Sequence, residues 1–287
     1  TASQHGALDE STLHVALRQL RQRVMAHLAL RDLADGAALA EIVETMTTLA
    51  DVTTLFALDA LHADLAKRYG QPLGCDGQAL HLAIIGMGKL GGRELNVSSD
   101  VDYIFVYPDD GETSGREDGG GRIDNYDFFT RLGKKLIASL NDVTADGQVF
   151  RVDMRLRPNG DSGPLVCSSN MLENYFITQG REWERYAWIK ARVMNAADTA
   201  CEPTMTTSVA KPFVFRKYLD FGAINAMRAL HAQIRQEVTR KDRSEHIKLG
   251  PGGIREIEFI AQVFQLIRGG RDSSLQIRPT LLVLDRL

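Results

Sequence analysis

Apolar residues recur at steps of three and four through residues 9–70. Leu13, Leu17, Leu20, Val24 and Leu28 form one stripe, with Asp9 or Ser11 placed to cap it. This spacing predicts a helix. Leu39, Ile42, Met46 and Leu49 predict a second, and Leu55, Leu58, Leu61, Leu65 and Tyr69 a third. The glycines and proline of GQPLGCDGQ (70–78) predict a loop.

From residue 81 the period changes. HLAIIGM is a short, unbroken apolar run, and VDYIFVY (101–107) is a second, rich in β-branched and aromatic residues. Both read as buried strands. PDDGETSGREDGGGR (108–122) is polar and glycine-rich, which predicts a mobile loop. Residues 124–142 carry Phe128, Leu132, Leu136 and Leu140 one turn apart, as a helix would. VFRVDMRLRP (149–158) reads as the clearest strand, ended by Pro158. Alternation puts Val152, Met154 and Leu156 on one side, and Arg151, Asp153, Arg155 and Arg157 on the other. After NGDSGPLVCSS, helical patterns dominate. The expected organisation is a helical amino-terminal extension (1–78), an α+β core (79–167) and a helical region (168–287).

The 287 residues suffice for a sizeable buried core. A formal net charge of -3 gives no sign of a nucleic-acid binder. No apolar run is long enough to span a membrane, and there is no signal peptide at the start. Cys75, Cys167 and Cys201 lack metal-ligand spacing, which fits a reducing cytoplasm. The chain begins without methionine and stops inside the apolar segment TLLVLDRL, as a piece of a longer protein would.

The stretch IIGMGKLGGRELNVSSDVDYIFVYP (84–108) admits two readings. Gly86, Gly88 and Gly91 follow the G-x-G-x-x-G of a dinucleotide-binding turn. That motif also needs a crossover helix to the next strand, and here the next strand starts too soon, at about Asp100. The other reading is a metal-dependent nucleotidyltransferase. Asp100 and Asp102 are two apart, so a strand projects both carboxylates from one face. Paired hard oxygen ligands suit Mg²⁺, and Mn²⁺ accepts the same donors. The glycines permit close approach to phosphate. Asp153 is the candidate third carboxylate, with Arg155 and Arg157 on its face to neutralise phosphate oxygens.

Four segments, GMGKLGGRELNVSSDVDYIF, RVDMRLRPNGDSGPL, GREWERYAWIKARV and KLGPGGIREIEF, resemble the bifunctional glutamine synthetase adenylyltransferase/adenylyl-removing family. They span residues 86–259. ELNVSSDVD, GDSGPL and EWERYA are similar to that family's amino-terminal, adenylyl-removing half. The resemblance implies a polymerase-β-like nucleotidyltransferase core. It implies that orthophosphate attacks the AMP–tyrosine bond of adenylylated glutamine synthetase to give ADP. Asp100, Asp102 and Asp153 would hold Mg²⁺, while Ser99, Gly91 and Gly92 would contact the nucleotide phosphate. It further implies a uridylylated PII signal protein as regulator and a second catalytic half absent from this chain. Val97 stands where the family often has an aromatic and Tyr103 where it often has leucine, both bearing on pocket shape. ATP-dependent adenylylation, and a non-catalytic module that binds PII or nucleotide, are the competing functions.

Other residues have two readings. Glu256 and Glu258 share a motif, yet on a helix residues two apart diverge by about 200°, so one of them is expected at the site. Otherwise Glu258 pairs with an arginine such as Arg255 or is solvated. The stripe Ile257, Ile260, Phe264 and Ile267 favours the helix. Lys89 follows the glycine turn and can touch phosphate, though it lacks the context of a P-loop. Trp183, Tyr186 and Trp188 suit helix packing, and Lys190 and Arg192 suit either a phosphate or protein contact or a solvated face. GDSGP (160–164) matches a serine-protease nucleophile loop, but no histidine stands in a supporting context, and His81 reads as an ordinary strand-end residue.

Overall fold

The structure is a computed structural model that describes residues 9–34, 36–195, 208–218, 222, 225, 229, 232, 246–248 and 250–287. Cys201 and Leu249 lie outside the described residues.

Helix α1 (Glu10–Leu33) starts where the Asp9 carboxylate accepts the Thr12 amide at 2.7 Å. Leu13, Leu17 and Leu28 of the expected stripe are buried, but Leu20 is exposed. Arg18 is buried instead. Its guanidinium donates to the carbonyls of Ser139 and Asp142 and so satisfies the carbonyl end of another helix. The second and third predicted helices are one continuous element, α2 (Leu39–Tyr69). The gap between the two stripes holds no glycine or proline, and the Thr53 hydroxyl donates to the Leu49 carbonyl within the turn.

The sheet carries strands β1 (Ala83–Gly86), β2 (Val101–Tyr107), β3 (Val152–Asp153), β4 (Val166–Ser168) and β5 (Arg192–Val193). The order is β3-β2-β1-β5, and β4 also pairs with β2 beyond β3. Strands β1 and β2 run antiparallel, joined through the single-turn helix α3 (Gly88–Gly91). A dinucleotide-binding crossover joins parallel strands, so this reading is excluded by topology. Strands β3 and β4 run parallel to β2.

Side-chain alternation divides β2 between two cores. Tyr103, Phe105 and Tyr107 pack with α1, α2 and α4 (Asn125–Asn141) on one face. Ile104 and Val106 pack on the other face with α5 (Ser169–Thr178), α6 (Glu182–Trp188), α7 (Lys211–Val214) and α8 (Ile254–Arg268). A short final helix, α9 (Thr280–Arg286), lies against α8. The four residues expected on the inner face of α4 are fully buried.

Two expectations need correction. The segment 149–158 is not one long strand: β3 has two residues, and the chain turns at Arg155. The Asp153 carboxylate accepts the Arg155 amide at 2.8 Å, which draws the backbone out of the sheet. Strands β4 and β5 were not expected, because two or three residues carry no measurable period. The polar segment 108–122 is a loop as expected, and it is bonded to the segments beside it. Thr113 donates to Ile123 at 2.9 Å and Ser114 to Gln71 at 2.8 Å.

Candidate active site

The site is built where β1 ends, the glycine turn crosses and β2 begins. The Met87 amide donates to the Asp102 carbonyl at 2.9 Å, which fastens the turn to the strand. Gly88 adopts φ 52° beside the Asp102 carboxylate. A Cβ there would lie 3.2 Å from Asp102 Oδ2. A Cβ on Gly91 would collide with the carbonyl oxygen of Lys190. Two glycines are therefore required, one by conformation and one by close approach.

Asp102 and Asp153 are direct register partners across β2 and β3. Burial, then the charge of Asp153, then that of Asp100, pushes the Asp102 carboxyl up to about 6. Asp153 is held below its ordinary value by hydrogen bonding from Arg155. Arg155 grips both Asp153 oxygens, Nε at 3.0 Å from Oδ1 and Nη2 at 2.5 Å from Oδ2. Asp100 lies one residue before β2, where Arg151 Nε donates to it at 2.5 Å. Among the described residues, no three acidic, histidine or cysteine side chains form a ready-made metal cage. Two of the three carboxylates are turned to arginines. The donor chemistry nonetheless fits a hard cation: three carboxylates gather at one strand end, and the half-buried one suffers repulsion that a divalent ion would relieve.

The remaining expected residues separate. Ser99 sits in the turn before Asp100, its hydroxyl donating to Asn96 Oδ1 at 2.7 Å. Lys89 is half-buried, and burial lowers its ammonium, with Lys248 and Glu258 among its charged neighbours. The face expected to join Arg157 to Asp153 is not formed, since the strand stops first. Arg157 instead donates to the Met154 carbonyl at 2.8 Å and the Gly163 carbonyl at 3.4 Å, closing its own loop. Arg151, passed over in the sequence as one more charge on a strand, reaches Asp100.

Glu256 and Glu258 do lie on a helix, α8, and diverge. Glu256 accepts the Gly252 amide at 2.6 Å near the start of its own helix. Glu258 faces inward, 3.6 Å from Lys190 Nζ. The expected partner Arg255 is thus replaced by a lysine from a distant segment. Ile257, Ile260 and Phe264 are exposed, so the apolar stripe of α8 is not its buried face; Ala261, Gln262, Gln265 and Leu266 are.

Lys190 and Arg192 are neither solvated nor aimed at open space. Lys190 is 4% exposed and pairs with Glu94, and Arg192 Nη2 donates to Asp51 at 2.8 Å. Trp188 is buried and Tyr186 packs on Phe259, but Trp183 is exposed. Tyr103 is buried with its hydroxyl 2.6 Å from Thr54, and Val97 is exposed. His81 stacks on His62, with ring centroids 5.2 Å apart. Among the described residues, no helix is long and apolar enough to cross a membrane.

Comparison with known proteins bears on this geometry. A family model described as glutamate-ammonia ligase adenylyltransferase matches residues 4–206. A second, described as GlnD PII-uridylyltransferase, matches residues 228–287. Three relatives are each named bifunctional glutamine synthetase adenylyltransferase/adenylyl-removing enzyme. That of Aromatoleum aromaticum is 65% identical, over 96% of this chain and 29% of the relative. That of Nitrosomonas europaea is 61% identical, over 99% and 31%. That of Burkholderia pseudomallei is 58% identical, over 96% and 30%. The chain thus spans less than a third of each relative's length.

Proposed function

Because this chain belongs to the glutamate-ammonia ligase adenylyltransferase family, we propose that it is a metal-dependent nucleotidyltransferase that removes AMP from adenylylated glutamine synthetase. The observation that carries this is the register pair Asp102 and Asp153 with the glycine turn packed against Asp102. Such a pair beside a backbone able to approach phosphate serves phosphoryl chemistry and has no evident structural purpose, since it costs repulsion.

In the proposed reaction an orthophosphate oxygen attacks the phosphorus of the AMP–tyrosine ester. The bond from phosphorus to the tyrosine oxygen breaks, giving ADP, and the freed tyrosinate takes a proton from solvent. The leaving phenol has a free pKa of about 10, so positioning and charge neutralisation can supply most of the acceleration. Asp100, Asp102 and Asp153 would hold Mg²⁺ or Mn²⁺, which when bound neutralises charge on the transferring phosphoryl group. The amides of Gly91 and Gly92, with Ser99 and Lys89, would orient nucleotide phosphate. Arg155 and Arg151 are placed to pass from carboxylate to phosphate once a cation takes the carboxylates, which extends the role expected of Arg155 to a second arginine. Arg157 holds the loop that carries Arg155.

The relatives' names and the PII-uridylyltransferase match support adenylylated glutamine synthetase as substrate and a PII signal protein as regulator. The free thiols of Cys75 and Cys167 are in keeping with a cytoplasmic setting.

The test is to incubate the chain with adenylylated glutamine synthetase, Mg²⁺ and orthophosphate and to follow ADP. A parallel reaction with unmodified glutamine synthetase and ATP follows AMP incorporation. Phosphate-dependent ADP that is lost in Asp100→Asn/Asp102→Asn is the expected result. AMP incorporation without ADP formation would instead assign adenylylation, and neither product from a folded chain that binds PII would assign a regulatory module.

A further inference from the structure

The strongest unassigned feature is a buried ion-pair cluster behind the glycine turn. Lys190 Nζ pairs with Glu94, donates to Thr280 Oγ1 at 2.8 Å and lies 3.6 Å from Glu258. Glu94 in turn accepts the Thr280 amide through Oε1 at 2.5 Å. Three segments distant in sequence, 88–94, 190–192 and 258–280, thus meet on one ammonium. Reinforcement comes from both sides. Arg278 donates to the Ala191 carbonyl at 2.6 Å, and Arg192 donates to the Leu90 carbonyl at 3.2 Å.

The cluster acts directly on the turn. The Lys190 carbonyl is the atom against which Gly91 is packed, and its side-chain methylene would lie 3.3 Å from a Cβ on Gly92. The Glu94 amide donates to the Lys89 carbonyl at 2.8 Å, so the residue holding Lys190 also closes the turn that carries Lys89. A buried lysine is costly unless paired and hydrogen-bonded. Here it is satisfied by Glu94 from the turn segment and by Thr280 from a segment distant in sequence. Its ammonium meets Glu94, Thr280 and Glu258 rather than Asp100, Asp102 or Asp153 among the described residues.

We propose that Lys190, through Glu94 and Thr280, is a positioning residue that sets the glycine turn for phosphate, so that residues 254–286 complete the active site. This rests on the turn being the phosphate cradle. The helical segment bearing Glu258 and Thr280 then acts on phosphate affinity without touching the carboxylates.

Thr280→Val removes the hydroxyl contact to Lys190 and keeps the helix and both charges. Three readouts are compared in the full chain: ADP affinity with Mg²⁺ by calorimetry, Mn²⁺ affinity by electron paramagnetic resonance, and amide exchange of residues 88–94. ADP affinity should weaken about threefold to tenfold, the scale of one hydrogen bond, with faster exchange in the turn and unchanged Mn²⁺ affinity. Glu94→Gln/Lys190→Met, which removes the buried pair and leaves of the cluster only the partly exposed Glu258 charge, should show the same split more strongly. Unchanged ADP affinity and exchange in both folded variants would overturn the proposal. So would equal losses of ADP and Mn²⁺ binding, which a general loosening produces. A parent chain that binds no ADP would overturn the phosphate-cradle reading itself. A parent that binds ADP with variants that bind it equally well would overturn the role of Lys190 alone.

Discussion

Asp102 and Asp153 face each other as register partners across parallel strands, and each is answered differently. Asp153 is neutralised by Arg155, whereas Asp102 is left half-buried with its carboxyl pushed up to about 6 by burial and by its acidic neighbours. The asymmetry makes Asp102 the position that gains most from an added cation.

Removing that charge should stabilise the metal-free chain. Asp102 holds its proton more tightly folded than unfolded, where its value is 3.8. The resulting stability is fully present below the unfolded value and is lost as pH rises through about 6. Asp102→Asn should therefore raise unfolding free energy at pH 7.5 by on the order of 1–2 kcal/mol, with little gain at pH 4. Urea unfolding with a chelator present measures this. An equal gain at both values would show that repulsion is not the cause.

Gly91→Ala drives a methyl into backbone rather than into a yielding side chain, because the obstructing atom is the Lys190 carbonyl. A loss of about 1–3 kcal/mol is expected, read as a fall in thermal midpoint, together with weaker ADP binding. Gly77→Ala, strained in φ but open in space, separates the cost of conformation from that of collision.

The two arginines of the corrected strand should behave oppositely. Arg157→Met breaks bonds to the Met154 and Gly163 carbonyls from a side chain only 13% exposed. It should cost about 1–3 kcal/mol of stability. Arg155, 73% exposed, contributes an ion pair that water and salt screen, so it adds little stability. Arg155→Met should leave the thermal midpoint nearly unchanged and raise the KM for orthophosphate. Matching stability losses would remove the distinction drawn between them.

His62 supplies an independent pH dependence. Buried on the inner side of α2, it packs on His81 and Phe128 and bonds Gln71 at 3.0 Å. Burial lowers its imidazole from 6.5. The unfolded chain then takes up the proton first, so stability is present above 6.5 and lost as pH falls below it. His62→Gln should flatten the acid side of the stability profile relative to the parent. The opposite slope from Asp102 is common to both proteins and cancels in that difference.

Much of the architecture was legible in the sequence because it rests on period. Most of the α1 and α2 stripes, the α4 stripe and the apolar runs of β1 and β2 are buried, and periodicity reports burial. The short interval between the glycine turn and Asp100 also decided against a dinucleotide fold, and the antiparallel β1–β2 pairing agrees. Where period misled, a local bond had intervened. The charged alternation of 149–158 suggested a strand, and the Asp153 side chain ended it by bonding the Arg155 amide. The apolar stripe of α8 marked the helix, while its buried face includes polar Gln262 and Gln265, Gln265 by donating to the carbonyls of Leu275 and Ile277.

The sequence by itself determined the longer helices, strands β1 and β2 and the family, because these depend on residue identity and on neighbours close along the chain. Tertiary structure decided the partners. That Asp102 meets Asp153, that Arg151 rather than Arg157 reaches the carboxylates of the site, and that Lys190 is buried on Glu94 and Thr280 all depend on segments brought together from afar. Charge has no period that marks its partner. A lysine reads the same in sequence whether water or a distant glutamate receives it, and only the packed chain, by excluding the water, makes the choice.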